Sequence, residues 1–271
     1  MENTLGAFLR ARRETTRPAQ VGLPVGANRR VPGLRREEVA MLAGVSGDYY
    51  MRLEQGRDRH PSPQVLEALS RVLDLGPDGL DHARRLADTT SLPHRPRHPE
   101  QIAPGLRNLL DAMSSPALVT SRHLDVLATN ALARSLNPIA VEGSNMVLST
   151  FLDPRVSDYY PAWEKLAQDM VANLRAAAGA DPEHPRLAKL VGKLSVRSPE
   201  FRAYWARYEV KGKTRGTKRI RHPVVGPLTL DYETLAPEGV NGQLLLAYHA
   251  EPHSTSATAL ALLGSLAVRR A

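Results

Sequence analysis

No cysteine occurs among the 271 residues. That excludes disulfides, thiolate-bound metal and a thiol nucleophile, and it suits a reducing compartment. Long apolar runs are missing too. None approaches the roughly 20 residues that span a bilayer, and residues 1–13 lack the apolar stretch of a signal peptide, so the expected location is the cytoplasm, with no membrane partner. Lysine is scarce, six against thirty arginines, and residues 1–60 hold eleven arginines, seven acids and no lysine. Arginine offers a planar fork suited to phosphates and guanine edges. A codon bias would enrich it everywhere, so its placement says more than its number. What is present is a hydrophobic fraction of 42% and a net charge of +8. The first supports a buried core in one large or two ordinary domains. The second favours a polyanionic partner without separating nucleic acid from a membrane surface.

The clearest break in composition is Ser91–Gly105, where Pro93, Pro96, Pro99 and Pro104 withhold backbone donors and disfavour helix in the residues before them. It reads as a linker, 91–105, between a domain over 1–90 and another over 106–271. The first domain is purely helical in pattern. Leu5, Phe8 and Leu9 sit at helical spacing in a helix to about Arg13. A second helix, about Arg35–Ala43, carries small residues on one side and ends at Gly44, where a left-handed residue is wanted. Ser46 caps a third helix ending near Gln55. Ser62-Pro63 opens a fourth, with Leu66, Leu69 and Leu73 inward, and Pro77–Asp88 forms a fifth.

The third helix has two unlike faces. On a helical wheel Val45, Tyr49, Tyr50 and Leu53 gather on one side, while Gly47, Asp48, Met51 and Gln55 fall opposite, with Arg52 at the edge. One packed face and one mixed polar face suit a helix lying in the major groove. The stretch EVAMLAGVSGDYYMRLEQGR, Glu38–Arg57, followed by Pro61-Ser62-Pro63, resembles the helix-turn-helix of the phage-repressor and XRE families. The resemblance implies base reading by Ser46, Gly47, Asp48, Tyr49 and Arg52. Arg52 suits guanine and Asp48 a cytosine amino group. Alternatively, Asp48 only favours the helix N-terminus and Arg52 pairs with it at i, i+4. Arg13 and Glu54 match the positions of the family's structural ion pair, which ties the first helix to the end of the third.

About twenty residues, Thr15–Leu34, separate helices one and two, where short phage repressors need a few. Loops of that length are functional or disordered. Arg29, Arg30, Arg35, Arg36 and Arg57 are candidates for phosphate or minor-groove contacts, against the alternative of a solvated basic loop.

After residue 105 the pattern is α+β. Strands are expected at Ala117–Thr120, Leu124–Ala128, Gly216–His222, Leu228–Leu235 and Gln243–His249. Helices are expected from about Asn130 and over Pro161–Ala178, Glu183–Leu194, Pro199–Glu209 and Ala257–Val268. Strands flanking a helical middle suggest an antiparallel sheet with packed helices. Trp163, Phe201, Trp205 and Tyr208 are either core or the lining of a ligand pocket. Arg207–Arg221, with seven bases and one acid, can grip a carboxylate or phosphate, touch DNA or form a solvated edge.

The motifs GLRREEVA (Gly33–Ala40), DYYMRLEQGR (Asp48–Arg57), FLDPR (Phe151–Arg155), LSVRSPEF (Leu194–Phe201) and GTKRIRHPVVGPLTLDYETLA (Gly216–Ala236) extend the likeness. On them the chain is similar to the actinobacterial branch of the MmyB-like regulators. That resemblance implies a PAS-like C-terminal domain holding a fatty-acid-like or other small apolar effector. The expected fold is therefore mainly α, a five-helix DNA-binding domain followed by an α+β domain. The expected function is one-component transcriptional regulation on a double-stranded operator, by a homodimer with half-sites about 34–36 Å apart. The alternatives are a second domain that only dimerises or binds protein, an adaptor, or an enzyme or ligand carrier. No phosphate-cradling loop, dinucleotide glycine pattern or nucleophile elbow occurs. His94-x-x-x-His98 lies between prolines, without helical ligand geometry. Neither a catalytic residue nor a metal or cofactor is assigned.

Overall fold

In the computed structural model the polar residues flanking the first apolar runs become caps. The residues described are 4–24, 31–87, 101–137, 140–180, 184–212, 215–237 and 242–268. Thr4 Oγ1 accepts from the Ala7 amide to open α1 (Leu5–Thr15). Helix α2 (Arg36–Ala43) ends on Gly44 in the left-handed region, φ 68°. Ser46 Oγ accepts from the Tyr49 amide at 3.1 Å ahead of α3 (Gly47–Glu54). Ser62 does the same for α4 (Pro63–Val72), and α5 (Gly76–Ala87) follows. Such caps each stabilise by about 1 kcal/mol. The five helices share one core of Leu5, Phe8, Leu9, Val39, Tyr50, Leu53, Leu66, Leu69 and Leu73. Burying each of these leucines contributes roughly 1.5–3 kcal/mol. α1 approaches α3 so closely that a Cβ on Gly6 would stand 2.4 Å from the Glu54 carbonyl oxygen. Only glycine permits that contact. Leu34, at the end of the long connection, is buried, and its amide donates to the Arg13 carbonyl at 2.9 Å.

Beyond residue 100 the chain runs through α6 (Pro104–Ala112), β1 (Ala117–Thr120), β2 (Val126–Thr129), α7 (Ala131–Leu136), α8 (Met146–Leu152), α9 (Arg155–Tyr159), α10 (Trp163–Ala180), α11 (Pro185–Arg197), α12 (Pro199–Ala206), β3 (Arg215–His222), β4 (Gly226–Leu235), β5 (Leu244–His249) and α13 (Thr255–Val268). The fold is mainly helical, with a five-stranded antiparallel sheet in the order β2-β1-β5-β4-β3. One sheet face carries Ala117, Val119, Ala128 and Leu245, with Leu110 of α6 packed on them. The other face buries Leu118, Leu228, Leu230, Tyr232, Leu246 and Tyr248.

The structure departs from the sequence-based expectations at several points. Residues 91–100 of the expected linker lie outside the described residues, and its last two, Pro104 and Gly105, open α6. Proline at the first helical position costs no intrahelical hydrogen bond. Helices α8 and α9 are additional to those expected. The second strand starts at Val126, because Leu124 turns at φ 65°. α12 stops at Ala206, three residues before the expected Glu209, and Tyr208 takes φ 52°.

The chain forms two compact units. The first comprises Met1–Pro93, Arg175–Lys189 and Arg202–Gly212, and the second comprises His94–Leu174, Leu190–Phe201 and Lys213–Ala271. Residues 175–189 and 202–212, expected in the second domain, thus belong to the unit of α1–α5. Tyr208 joins that unit's core, its ring 6.2 Å from Phe8, while the Gly212 amide donates to Asp78 Oδ2 at 2.9 Å.

Candidate nucleic-acid interface

The end of α3 is held by a carboxylate that α1 and α2 both grasp. Arg13 Nε donates to Glu54 Oε1 at 2.5 Å and its Nη2 to Oε2 at 3.3 Å, while its Nη1 reaches the Leu34 carbonyl at 3.0 Å. Arg36 Nε donates to Glu54 Oε2 at 2.7 Å. The Glu54 side chain is 1% exposed and that of Arg13 10%. Burial alone would lower the Arg13 guanidinium. Its hydrogen bonds and proximity to the Glu54 carboxylate more than reverse that and raise it above its ordinary value. A paired, hydrogen-bonded arginine is the form in which such a charge tolerates burial.

With that end pinned, α3 turns Tyr50 and Leu53 fully into the core. Ser46, Gly47, Asp48 and Arg52 are exposed, and Met51 is half-buried. Ser46 already uses its hydroxyl as the cap. Asp48 and Arg52 form no ion pair with each other, although both are described and stand one turn apart. Tyr49 is half-buried against the core and lies beside Arg52, whose Cζ is 5.8 Å from the ring centroid. Burial pushes the Tyr49 phenol up, as does the nearby Asp58 carboxylate, while Arg52 opposes them. The exposed strip therefore offers an acceptor, Asp48, and a cation, Arg52, steadied by an aromatic ring. Base edges in the major groove are read with such groups.

Among the basic candidates, Arg35 and Arg57 are exposed. Arg35 sits at the start of α2, where its amide donates to Glu38 Oε2 at 2.6 Å. Arg36, expected at phosphate, is instead bonded to Glu54 and keeps 43% of its side chain exposed. Arg29 and Arg30 lie outside the described residues. Sequence reasoning missed Arg36 as a partner of Glu54. A glutamate eighteen residues away leaves no local signal.

The four aromatic candidates of the second part fall into two groups. Trp163 and Phe201 both stack edge-on against Phe151, at 6.0 and 5.4 Å. Trp163 also donates its indole N–H to the Thr150 carbonyl and lines a shallow open hollow with Pro161 and Gln168. Trp205 and Tyr208 lie in the first unit, where they flank the buried Arg175 guanidinium at 3.4 and 3.8 Å. Burial pulls Arg175 down to about 10, opposed by Tyr208. Asn130, near which a helix is expected to begin, caps it: its side chain accepts from the Ala133 amide at the start of α7. Among the described residues, no three His, Asp or Glu side chains gather as a metal site, and no helix is long and apolar enough to cross a membrane.

Comparison with known families agrees with this geometry. Residues 102–263 match the family model described as the MmyB-like transcription regulator ligand binding domain. Residues 4–83 match one described as a helix-turn-helix domain. No curated protein matches the chain at a significant level.

Proposed function

Since the chain belongs to the MmyB-like transcription regulators, we propose that it is a one-component, sequence-specific DNA-binding regulator whose second part holds a small apolar effector, fatty-acid-like in kind. In this reading α3, entered through Ser46, lies in the major groove of a double-stranded operator. Asp48 and Arg52 read bases with Gly47 and Tyr49 beside them, and Arg35 and Arg57 hold phosphates. The protein acts in the cytoplasm as a homodimer on paired half-sites. One observation carries the proposal. The helix with Tyr50 and Leu53 sealed in the core turns Asp48 and Arg52, unpaired with each other, to solvent.

Effector sensing on the same chain draws support from Arg202–Gly212. This segment lies inside the stretch matched by the ligand-binding family and also in the compact unit of α1–α5. Tyr208 and Gly212 touch Phe8 and Asp78 there. A ligand shifts DNA affinity only by as much as its own affinity differs between the two states, and contacts of this kind are where such states can differ. The alternative, a second part that only dimerises or binds protein, draws on the use of Trp163 and Phe201 in packing against Phe151. Mass spectrometry of small molecules retained by the purified protein separates the two.

Selection of bound sequences from randomised duplex tests the DNA reading. A preferred site is expected, and Arg52→Ala should weaken it by about 1–3 kcal/mol at one base position while leaving the others. Recovery of no preferred sequence would overturn the proposal.

A further inference from the structure

The basic stretch singled out in the sequence, Arg207–Arg221, ends in β3, an edge strand of the sheet. Its side chains alternate. Ile220 and His222 are buried, while Arg215, Thr217, Arg219 and Arg221 are exposed on the other face. Across the ladder Arg215 stands opposite Glu233 and Thr217 opposite Asp231, with Thr217 Oγ1 donating to Asp231 Oδ1 at 2.6 Å. The pattern then stops. Arg219 faces Thr229 and Arg221 faces Pro227, and among the described residues neither arginine has a carboxylate partner. Two unanswered guanidinium groups thus sit at alternate positions, about 6.5–7 Å apart along the strand. They border an edge whose outward backbone N–H and C=O groups pair with no other described strand.

We propose that the outer edge of β3 binds an extended acidic segment of another protein. The segment adds as a sixth strand and sets carboxylates at alternate positions opposite Arg219 and Arg221. Residues directly opposite in neighbouring strands bring their Cβ atoms within about 4.5–5.5 Å, close enough for arginine to fork onto a carboxylate. The peptide backbone supplies affinity and the alternate side chains supply selectivity. A nucleic-acid backbone fits less well, because it carries no donors for the strand's outward carbonyls. A second copy is disfavoured, since an antiparallel β3–β3 pair would crowd arginine-rich strands together, and like charges opposite one another destabilise. Within this sequence acids stand two apart only at Asp231-x-Glu233, already in β4, and at Asp181-Pro182-Glu183, whose proline lacks a ladder donor.

The test uses the full chain and a fluorescein-labelled ten-residue peptide of alternating threonine and glutamate. A peptide of the same composition with its glutamates in one block serves as control. The alternating peptide is expected to bind more tightly than the block peptide and to slow amide exchange in residues 215–222. Arg219→Glu/Arg221→Glu should weaken it about tenfold, the sum of two exposed pairs, at an unchanged melting temperature. A threonine–lysine peptide should recover binding to that charge-reversed variant. Equal binding of both acidic peptides, or no change in exchange along β3, would overturn strand addition. Duplex affinity that falls in the double variant while the peptide fails to bind would assign the patch to DNA. Absence of any binding would leave the arginines as guards against edge pairing, and the proposal would be wrong.

Discussion

Replacing Glu54 by alanine takes one acceptor away from two cations that differ in exposure, and the difference sets the outcome. Arg13, 10% exposed, would keep its bond from Nη1 to the Leu34 carbonyl and a looser contact, 3.5 Å, with the half-exposed carboxylate of Glu14, while Arg36, 43% exposed, would turn to water. Breaking a buried pair from one side costs about 3–5 kcal/mol, whereas an exposed pair contributes up to about 1 kcal/mol. A domain of this size loses roughly 4–8 °C of melting temperature per kcal/mol, so Glu54→Ala should fall by about 12 °C or more. Arg36→Ala should fall by less than about 8 °C. Operator affinity should drop with stability in Glu54→Ala, because the same carboxylate anchors the C-terminal end of α3. Thermal melts and operator titrations on one preparation of each variant decide the matter. Glu54→Ala melting with the wild type, or losing affinity at an unchanged melting temperature, would refute the assignment. So would an Arg36→Ala variant that is equally unstable.

Two further outcomes follow from the same geometry. Arg35→Ala and Arg57→Ala should each weaken binding to all sequences alike and reduce the salt slope by about 1, as lost phosphate contacts do; a change confined to one base position would reassign either residue. His82 is fully buried, its ring edge-on to Phe8 at 5.0 Å, and burial chiefly, with Arg85 and Arg175 nearby, pulls its pKa from 6.5 to about 3. Between those values the unfolded chain binds the proton and the folded one does not. Stability from this site is therefore complete above pH 6.5 and is lost as pH falls toward 3, by at most about 1.4 kcal/mol per pH unit. Urea melts from pH 7 to pH 4 should show a shallower acid loss in His82→Leu than in the wild type. Parallel curves would contradict it.

The features legible in the sequence are those that depend on near neighbours along the chain. Ser46, Ser62 with Pro63, and Gly44 mark helix ends because a cap bonds within three residues and a left-handed turn needs one glycine. The two faces of α3 follow from helical periodicity, and the alternation of β3 follows from the pleat. The same local reasoning misplaces Pro104, since a proline that breaks a helix from within also begins one, and only the apolar contacts of Leu110 with the sheet decide between those roles. It carries α12 too far, because Tyr208 leaves helical geometry to reach Phe8, two hundred residues away.

Residue order was thus enough for the helix-turn-helix, for the strands and most helices of the second part, and, through resemblance, for the Arg13–Glu54 pair. Folding in three dimensions settled that Arg36 shares Glu54, that Asp48 and Arg52 stand apart, and that residues 202–212 join the unit of α1–α5. The reason is range. Caps and periodicity act within a few residues, whereas ion pairs and core contacts form between groups that only folding brings together, at an entropic cost that no short window of sequence records.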